Sequence, residues 1–281
     1  MTADIQDGIN KSYKKTGNPL YRRVLASYVR LATEGGLVQA VYPEGKLSRD
    51  GKLHGPKVGI LDYMLRSFDP GGERDLVFIP AGINYDRVFE DRTLLLEGEP
   101  GARKSGRKAL FTTLSFILRN VRLMVGGGWH RFGYAAIYFG TPVSMRDYAK
   151  THNVDFRRLP KEARIEHVRR LAGHLFEHVG RAIPALPVSL VSTVFLKNPE
   201  AAYSETEIKA RTKDLMDDLE RKGAHVYVPR KDRDYAVQVG LRMLTLRHFV
   251  LKEDAGYRVS PAEIKILNYY ANSISHLVGA K

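Results

Sequence analysis

Cysteine is absent from the 281-residue chain. Its absence excludes disulfide stapling, thiol catalysis and thiolate metal sites, and suits a reducing cytoplasm. No run approaches the ~20 consecutive apolar residues of a bilayer-spanning helix, so any meeting with a membrane is expected at its surface. Residues 1–7 are polar and acidic, with no apolar stretch of a secretory leader behind them. Acid is scarce too: 31 Asp and Glu stand against 45 Lys and Arg, a formal charge of +14. That imbalance favours an anionic partner, whether nucleic acid, anionic lipid headgroups or an acidic carrier protein. The scarcity is also local. Residues 11–30 carry six Lys or Arg and no acid, and residues 102–146 carry eight and none.

What is present reads as alternating helices and short strands. The length suits one large domain, or one with a small appendage. Residues 1–12 carry no periodic pattern and read as a frayed start. Asn18 is a good helix cap, Pro19 suits the first helical position, and Gly35 and Gly36 stop the helix; Tyr21, Val24, Tyr28 and Leu31 share one face, opposite a basic one. An apolar β-branched run over 37–42 reads as a buried strand, 58–68 as a helix, and 76–80 as a second strand, together one right-handed parallel unit. Residues 86–106 read as a polar surface loop. Residues 108–125 read as an apolar-faced helix, which suits interfacial docking and core packing equally. A strand over 132–139 and helices over 144–150 and 160–182 follow. Gly126, Gly127 and Gly128 lack the spacing of a phosphate-binding loop.

Beyond residue 204 the chain changes character. Ser204 with Glu207 is a capping box that opens a charged helix, and Ser260 with Glu263 is a second, before the last helix. Between them a helix over 234–248 precedes a hairpin of 249–252 and 257–259. Helix, hairpin, helix resembles part of a winged helix, although the mixed local charge argues against a nucleic-acid partner. His174 and His178 stand at i and i+4, a metal-ligand spacing, but no third ligand is evident and no metal is expected.

The most informative stretch is the loop after Pro43. Pro43, Glu44, Gly45, Gly51, Gly55 and Pro56 frame one carboxylate, Ser48, and five basic or potentially basic groups: Lys46, Arg49, Lys52, His54 and Lys57. At a strand end of an α/β sheet such a loop is placed to take an anion. A solvated connector has the same composition.

The motif Tyr-Pro-Glu-Gly-x-x-Ser-Arg-x-Gly of residues 42–51, followed by Pro-Lys-x-Gly of 56–59, resembles a conserved block of the glycerol-3-phosphate acyltransferase family. Residues 77–85, 134–142, 187–191 and 269–276 resemble further blocks in the family's order, so the likeness runs through nearly everything after Asn18. It implies an α/β fold, a glycerolipid acyltransferase-like mixed and partly parallel sheet flanked by helices, with a C-terminal mainly helical region holding a small hairpin. The domain boundaries expected are 1–17 as frayed start, 18–200 as the acyltransferase-like domain, incomplete at its N-terminal side, and 201–281 as the C-terminal region.

The activity implied is transfer of a fatty acyl group from acyl-CoA or acyl carrier protein to the 1-hydroxyl of sn-glycerol 3-phosphate, the first step of phospholipid synthesis. No cofactor is called for. The enzyme implied is peripheral, on the cytoplasmic face of an anionic membrane. Carried over residue by residue, Glu44, Gly45, Ser48 and Arg49 match the glycerol phosphate block, with Lys46 and Lys52 as supporting cations, and Pro80 matches the acyl side. Arg49 suits bidentate pairing with phosphate, and Glu44 and Ser48 suit hydrogen bonds to hydroxyls. Leu47 stands where the family usually has an arginine.

A larger departure concerns the base. The family's base is a histidine followed after four residues by aspartate, and none of the nine histidines is so followed. A hydroxyl is a poor nucleophile at neutral pH, and loss of a general base costs ~100- to 10,000-fold. The expectation is that this polypeptide alone is inactive or nearly so, a truncated gene product or the larger piece of a split enzyme. A non-catalytic lipid- or carrier-binding fragment of the family is one alternative, and a winged-helix-like nucleic-acid binder is a more distant one.

Overall fold

The computed structural model describes residues 18–98 and 133–279. In chain order the elements are α1 (Pro19–Glu34), α2 (Gly59–Leu65), β1 (Val77–Phe78), β2 (Ala81–Tyr85), α3 (Asp91–Gly98), β3 (Ala135–Phe139), β4 (Val143–Ser144), α4 (Met145–Thr151) and α5 (Lys161–Ala182). They continue with α6 (Pro187–Leu196), α7 (Glu205–Arg221), α8 (Arg233–Leu246), β5 (Val250–Glu253), β6 (Gly256–Val259), α9 (Ile264–Asn272) and α10 (Ser275–Val278). The frayed start, the helix expected over 108–125, the Gly126 to Gly128 turn and part of the 86–106 stretch lie outside the described residues. The chain divides into two compact units: the described residues of Met1–Lys46, Gly55–Pro80 and Thr141–His178, and those of Leu47–His54, Ala81–Gly140 and Val179–Lys281.

In the first unit α1 begins as the sequence requires, with the Asn18 side chain accepting from the Leu20 N–H at 2.9 Å and Pro19 in the first turn. Gly36, at φ +73°, ends it. Leu25 and Val29 are the face packed inward, in one core with Leu61, Met64 and Leu65 of α2. The apolar stripe of Leu20, Val24, Tyr28 and Leu31 faces solvent, between 58% and 69% exposed. α4 and α5 complete this core through Met145, Ala149, Val168 and Leu171. Asp62, buried on α2, is neutralised by Arg66 at 2.7 Å and Arg164 at 2.8 Å. An uncompensated carboxylate in that position would carry a large desolvation cost.

Two strand expectations change here. Residues 37–42 make no β pairing, and Leu37, Val38 and Tyr42 are exposed. No strand among the described residues lies beside them to satisfy a ladder or cover the apolar side chains. Residues 76–80 shorten to β1, which pairs antiparallel with β4, Val77 opposite Ser144. All three strand pairs among the described residues are antiparallel, so the parallel unit read from 37–80 is not among them.

The second unit is built around α6. Pro187, Val188, Leu190, Val191, Val194 and Phe195 are all buried, with α7, α8 and α9 packed about the helix. α8 comes close because Gly240 has no side chain: a Cβ there would stand 2.5 Å from the Pro187 carbonyl oxygen. The Ser204 capping box opens α7, with the Ser204 N–H donating to Glu207 at 2.8 Å. The second expected box does not form. Ser260 makes no side-chain cap, and Glu263 pairs instead with Arg92 at 2.9 Å.

β2 and β3 pair antiparallel in the same unit, Ile83 opposite Ile137 and Tyr85 opposite Ala135. Asn84 on β2 donates through Nδ2 to the Pro184 carbonyl at 2.9 Å, which fastens the pair to the approach of α6. β5 and β6 pair antiparallel, Val250 opposite Val259. Their Phe249, Val250 and Val259 join the same core.

Candidate functional site

The Pro43 loop is shared between the units. Glu44, Gly45 and Lys46 belong to the first, with Pro80; Ser48, Arg49, Lys52 and His54 belong to the second. In the first unit Gly45 turns the chain at φ +65°, its N–H bonded to the Tyr42 carbonyl at 3.0 Å. The Lys57 N–H closes the base of the turn on the Pro43 carbonyl at 2.8 Å. A Cβ at Gly45 would lie 3.3 Å from the Lys57 ammonium. That small residue therefore keeps Glu44 and a cation on one short turn. Glu44 is half-buried, Lys46 and Lys57 are exposed, and Pro80 is buried.

In the second unit residues 48–54 fold onto the carboxylate of Asp50. Its Oδ1 accepts from the Lys52 N–H at 3.0 Å, lies 3.1 Å from Ser48 Oγ, and meets His54 Nε2 at 3.0 Å. Ser48 Oγ also donates to the Lys52 carbonyl at 2.8 Å. Partial burial raises the Asp50 pKa, but the bonds from Lys52, His54 and Ser48 outweigh it and leave the carboxyl below its ordinary range.

Outside anchoring comes from α9. Asn272 Nδ2 donates to the Asp50 carbonyl at 2.8 Å. Gly51, at φ +80°, lies so close to α9 that a Cβ there would fall 2.0 Å from the Tyr269 carbonyl oxygen. Arg49 and Lys52 are exposed on this anchored turn. The sequence marked Ser48, Arg49, Lys52 and His54 in advance and missed Asp50. The signal was the spacing Ser-x-Asp-x-Lys-x-His, a short polar side chain placed to accept from its own turn.

His174 and His178 lie edge to face, ring centroids 4.6 Å apart. Among the described residues no group of three His, Cys, Asp or Glu is arranged to hold a metal ion. Several basic residues on or beside α7 and α8 are drawn into ion pairs: Lys213 with Asp234 at 3.0 Å, Lys222 with Asp218 at 2.6 Å, and Arg233 with Asp217 and Glu220. Such a surface offers few uncommitted cations to phosphates. No described helix is long and apolar enough to cross a membrane.

Comparison of the amino-acid sequence with known proteins places the chain in an acyltransferase family. Residues 128–280 match the family described as glycerol-3-phosphate acyltransferase C-terminal region. A glycerol-3-phosphate acyltransferase of Pseudomonas fluorescens strain Pf-5 is 28% identical over 273 residues, 93% of this chain and 31% of the relative. That of strain SBW25 is 31% identical over 205 residues, 71% of this chain and 23% of the relative. One of Alteromonas mediterranea is 28% identical over 277 residues, 93% of this chain and 32% of the relative. The chain spans about a third or less of the length of these relatives. It belongs to the glycerol-3-phosphate acyltransferase family.

Proposed function

We propose that this chain serves the acylation of glycerol 3-phosphate by a fatty acyl thioester of coenzyme A or acyl carrier protein. Residues 42–52 are the block that receives glycerol phosphate. Arg49 and Lys52 supply cations for the phosphate, Lys46 adds a third, and Glu44, Gly45 and Ser48 address the glycerol hydroxyls; Pro80 belongs to the acyl side.

The observation that carries the reading is the turn over 48–54. It holds an exposed arginine and lysine on a backbone pinned by Asp50 and Asn272, in a chain whose relatives are named for glycerol 3-phosphate. Pre-organisation of that kind lowers the ordering cost of binding. Titration calorimetry with sn-glycerol 3-phosphate tests it. Arg49→Ala weakens binding about 10- to 100-fold, as loss of a charge-assisted bond does. Equal affinity of Arg49→Ala and the unsubstituted chain overturns the assignment.

A membrane-surface role accompanies this reading. Leu20, Val24, Tyr28 and Leu31 form an exposed apolar stripe on α1, with Arg23 and Arg30 along its flank, a pattern that suits an anionic bilayer surface.

A further inference from the structure

In the second unit, the turn that leads into α8 places two neighbouring side chains in the left-handed backbone region without glycine: Arg230 at φ +59° and Lys231 at φ +55°. An L side chain rarely sits there, and a strained backbone persists only where its surroundings impose it, often beside a bound ligand. The Lys231 N–H donates to the Val228 carbonyl at 3.1 Å and the Asp232 N–H to the Pro229 carbonyl at 3.2 Å, while Asp232 Oδ1 accepts from the Tyr235 N–H at 3.0 Å. Upstream, the Tyr227 N–H donates to the Ala185 carbonyl at 2.9 Å, which fastens the segment to the approach of α6.

The side chains of this turn meet a group of tyrosines. The Arg230 guanidinium lies over the Tyr235 ring, 4.2 Å from its centroid. Tyr235 shares a side-chain hydrogen bond with Tyr134, at the entry to β3, and the Tyr134 and Tyr227 rings stand 5.3 Å apart. Burial, the hydrogen bond to Tyr235 and the nearness of Tyr227 push the Tyr134 hydroxyl above its ordinary range, and the Arg230 charge acts against them. The guanidinium is therefore felt by the phenols, which stay protonated donors at neutral pH. Tyr227, Arg230 and Lys231 are exposed. Among the described residues no carboxylate pairs with Arg230 or Lys231, since the acids nearby are taken by Lys213 and Arg233.

We propose, resting on the acyl-transfer reading, that Tyr134, Tyr227, Tyr235, Arg230 and Lys231 hold the phosphorylated nucleotide end of coenzyme A, which makes the coenzyme A thioester the donor this chain selects. Two cations and protonated phenols suit phosphate oxygens, and an exposed tyrosine ring suits the face of a purine. A phosphate alone would leave the rings without a use, and a purine alone would leave the cations without one. A phosphorylated adenosine diphosphate calls on both. A thioester on acyl carrier protein has the same flexible arm but no nucleotide. Because that arm separates the nucleotide from the sulfur, these residues position the donor and take no part in bond making.

The test is titration calorimetry on the full 281-residue chain with coenzyme A, with dephospho-coenzyme A, which lacks the ribose phosphate, and with inorganic phosphate. Arg230→Gly removes the cation while glycine takes φ +59° without strain, so the fold is kept. The expected result is coenzyme A binding that weakens about 10- to 100-fold in Arg230→Gly and about 5- to 100-fold in Tyr227→Ala. Dephospho-coenzyme A binds about 10-fold or more weakly than coenzyme A. Glycerol 3-phosphate binding is unchanged in both variants, because its phosphate is assigned to the turn over 48–54. The proposal is overturned if the unsubstituted chain does not bind coenzyme A, if either variant binds it equally well, or if dephospho-coenzyme A or inorganic phosphate binds as tightly. In each of those cases, glycerol 3-phosphate binding that Arg49→Ala weakens leaves the acyl-transfer reading standing, while absence of such binding removes both.

Discussion

The Asp86 carboxylate caps the N-terminus of α6: its Oδ1 accepts the Val188 N–H at 2.8 Å, and its Oδ2 takes the Tyr134 N–H at 3.0 Å. One buried side chain thus satisfies an orphan donor of the central helix and ties the approach to β3 to it. Burial nonetheless dominates over the two hydrogen bonds and pushes the Asp86 carboxyl up from 3.8 to about 6.

A pH dependence follows from that shift. The folded pKa lies above the unfolded one, so the contribution to stability is full below pH 4 and is lost as pH rises through about 6. Its size is about 3 kcal/mol, at 1.36 kcal/mol per unit. Urea melts at pH 4, 5, 6 and 7 measure it, and Asp86→Asn flattens the profile in that window. Asp86→Ala leaves two buried N–H groups unpaired and costs about 2–4 kcal/mol at pH 4, a cost that shrinks as pH rises because the unsubstituted chain loses the Asp86 contribution. An Asp86→Asn profile as steep as that of the unsubstituted chain would exclude this carboxyl as the source.

Gly51 is the residue on which the anchored turn depends most. Gly51→Ala drives a Cβ into the Tyr269 carbonyl oxygen and forces φ +80° on an L side chain, so it costs at least about 1–3 kcal/mol. The turn must then lift from α9, and glycerol 3-phosphate affinity falls along with the melting temperature. Gly223→Ala is the control. It also has positive φ, at +78°, but a Cβ there meets nothing within 4 Å, so it shows the backbone strain without the displacement and leaves affinity unchanged.

How much of this was legible in the sequence depended on whether the deciding interaction was local. The opening of α1 was legible because Asn18 and Pro19 act on the next turn, and the Ser204 cap because Glu207 is three residues away. The matching box at Ser260 was not, since Arg92, far off in the chain, claims Glu263. α6 escaped a periodicity-based reading because a helix buried all round has no polar face to set a period. The strand expected over 37–42 had the right composition, yet strand formation needs a neighbour, and no neighbour is written in the strand itself. In the candidate site the cations stood out by type. Asp50, which organises them, did not, because one acid among basic residues reads as charge balance until its hydrogen bonds are seen.

Ser192 on α6 provides a test of the opposite sign. Its Oγ is buried and finds no hydrogen-bond partner among the described residues. An unpaired buried hydroxyl carries a desolvation penalty that alanine does not. Ser192→Ala is therefore neutral or stabilising, by up to about 1 kcal/mol. A fall of several degrees in melting temperature would mean that the hydroxyl has a partner.

The cluster of Asp91, Arg247 and Tyr270 supplies the last prediction. Arg247 Nη2 reaches Asp91 Oδ2 at 2.6 Å and Nη1 reaches the Tyr270 hydroxyl at 2.7 Å, while that hydroxyl also donates to Asp91. Burial alone would lower the Arg247 pKa, but Tyr270 and Asp91 outweigh it and hold the guanidinium charged. Removing one partner strands the other's charge in the interior, so Asp91→Leu alone or Arg247→Met alone costs about 3–5 kcal/mol. Replacing the ion pair with Asp91→Leu and Arg247→Met together removes both charges and restores apolar volume, and recovers most of that loss. The double-mutant cycle, read by chemical denaturation, is therefore strongly non-additive. Simple addition of the single losses would mean that the three side chains act separately, each held by its own neighbours.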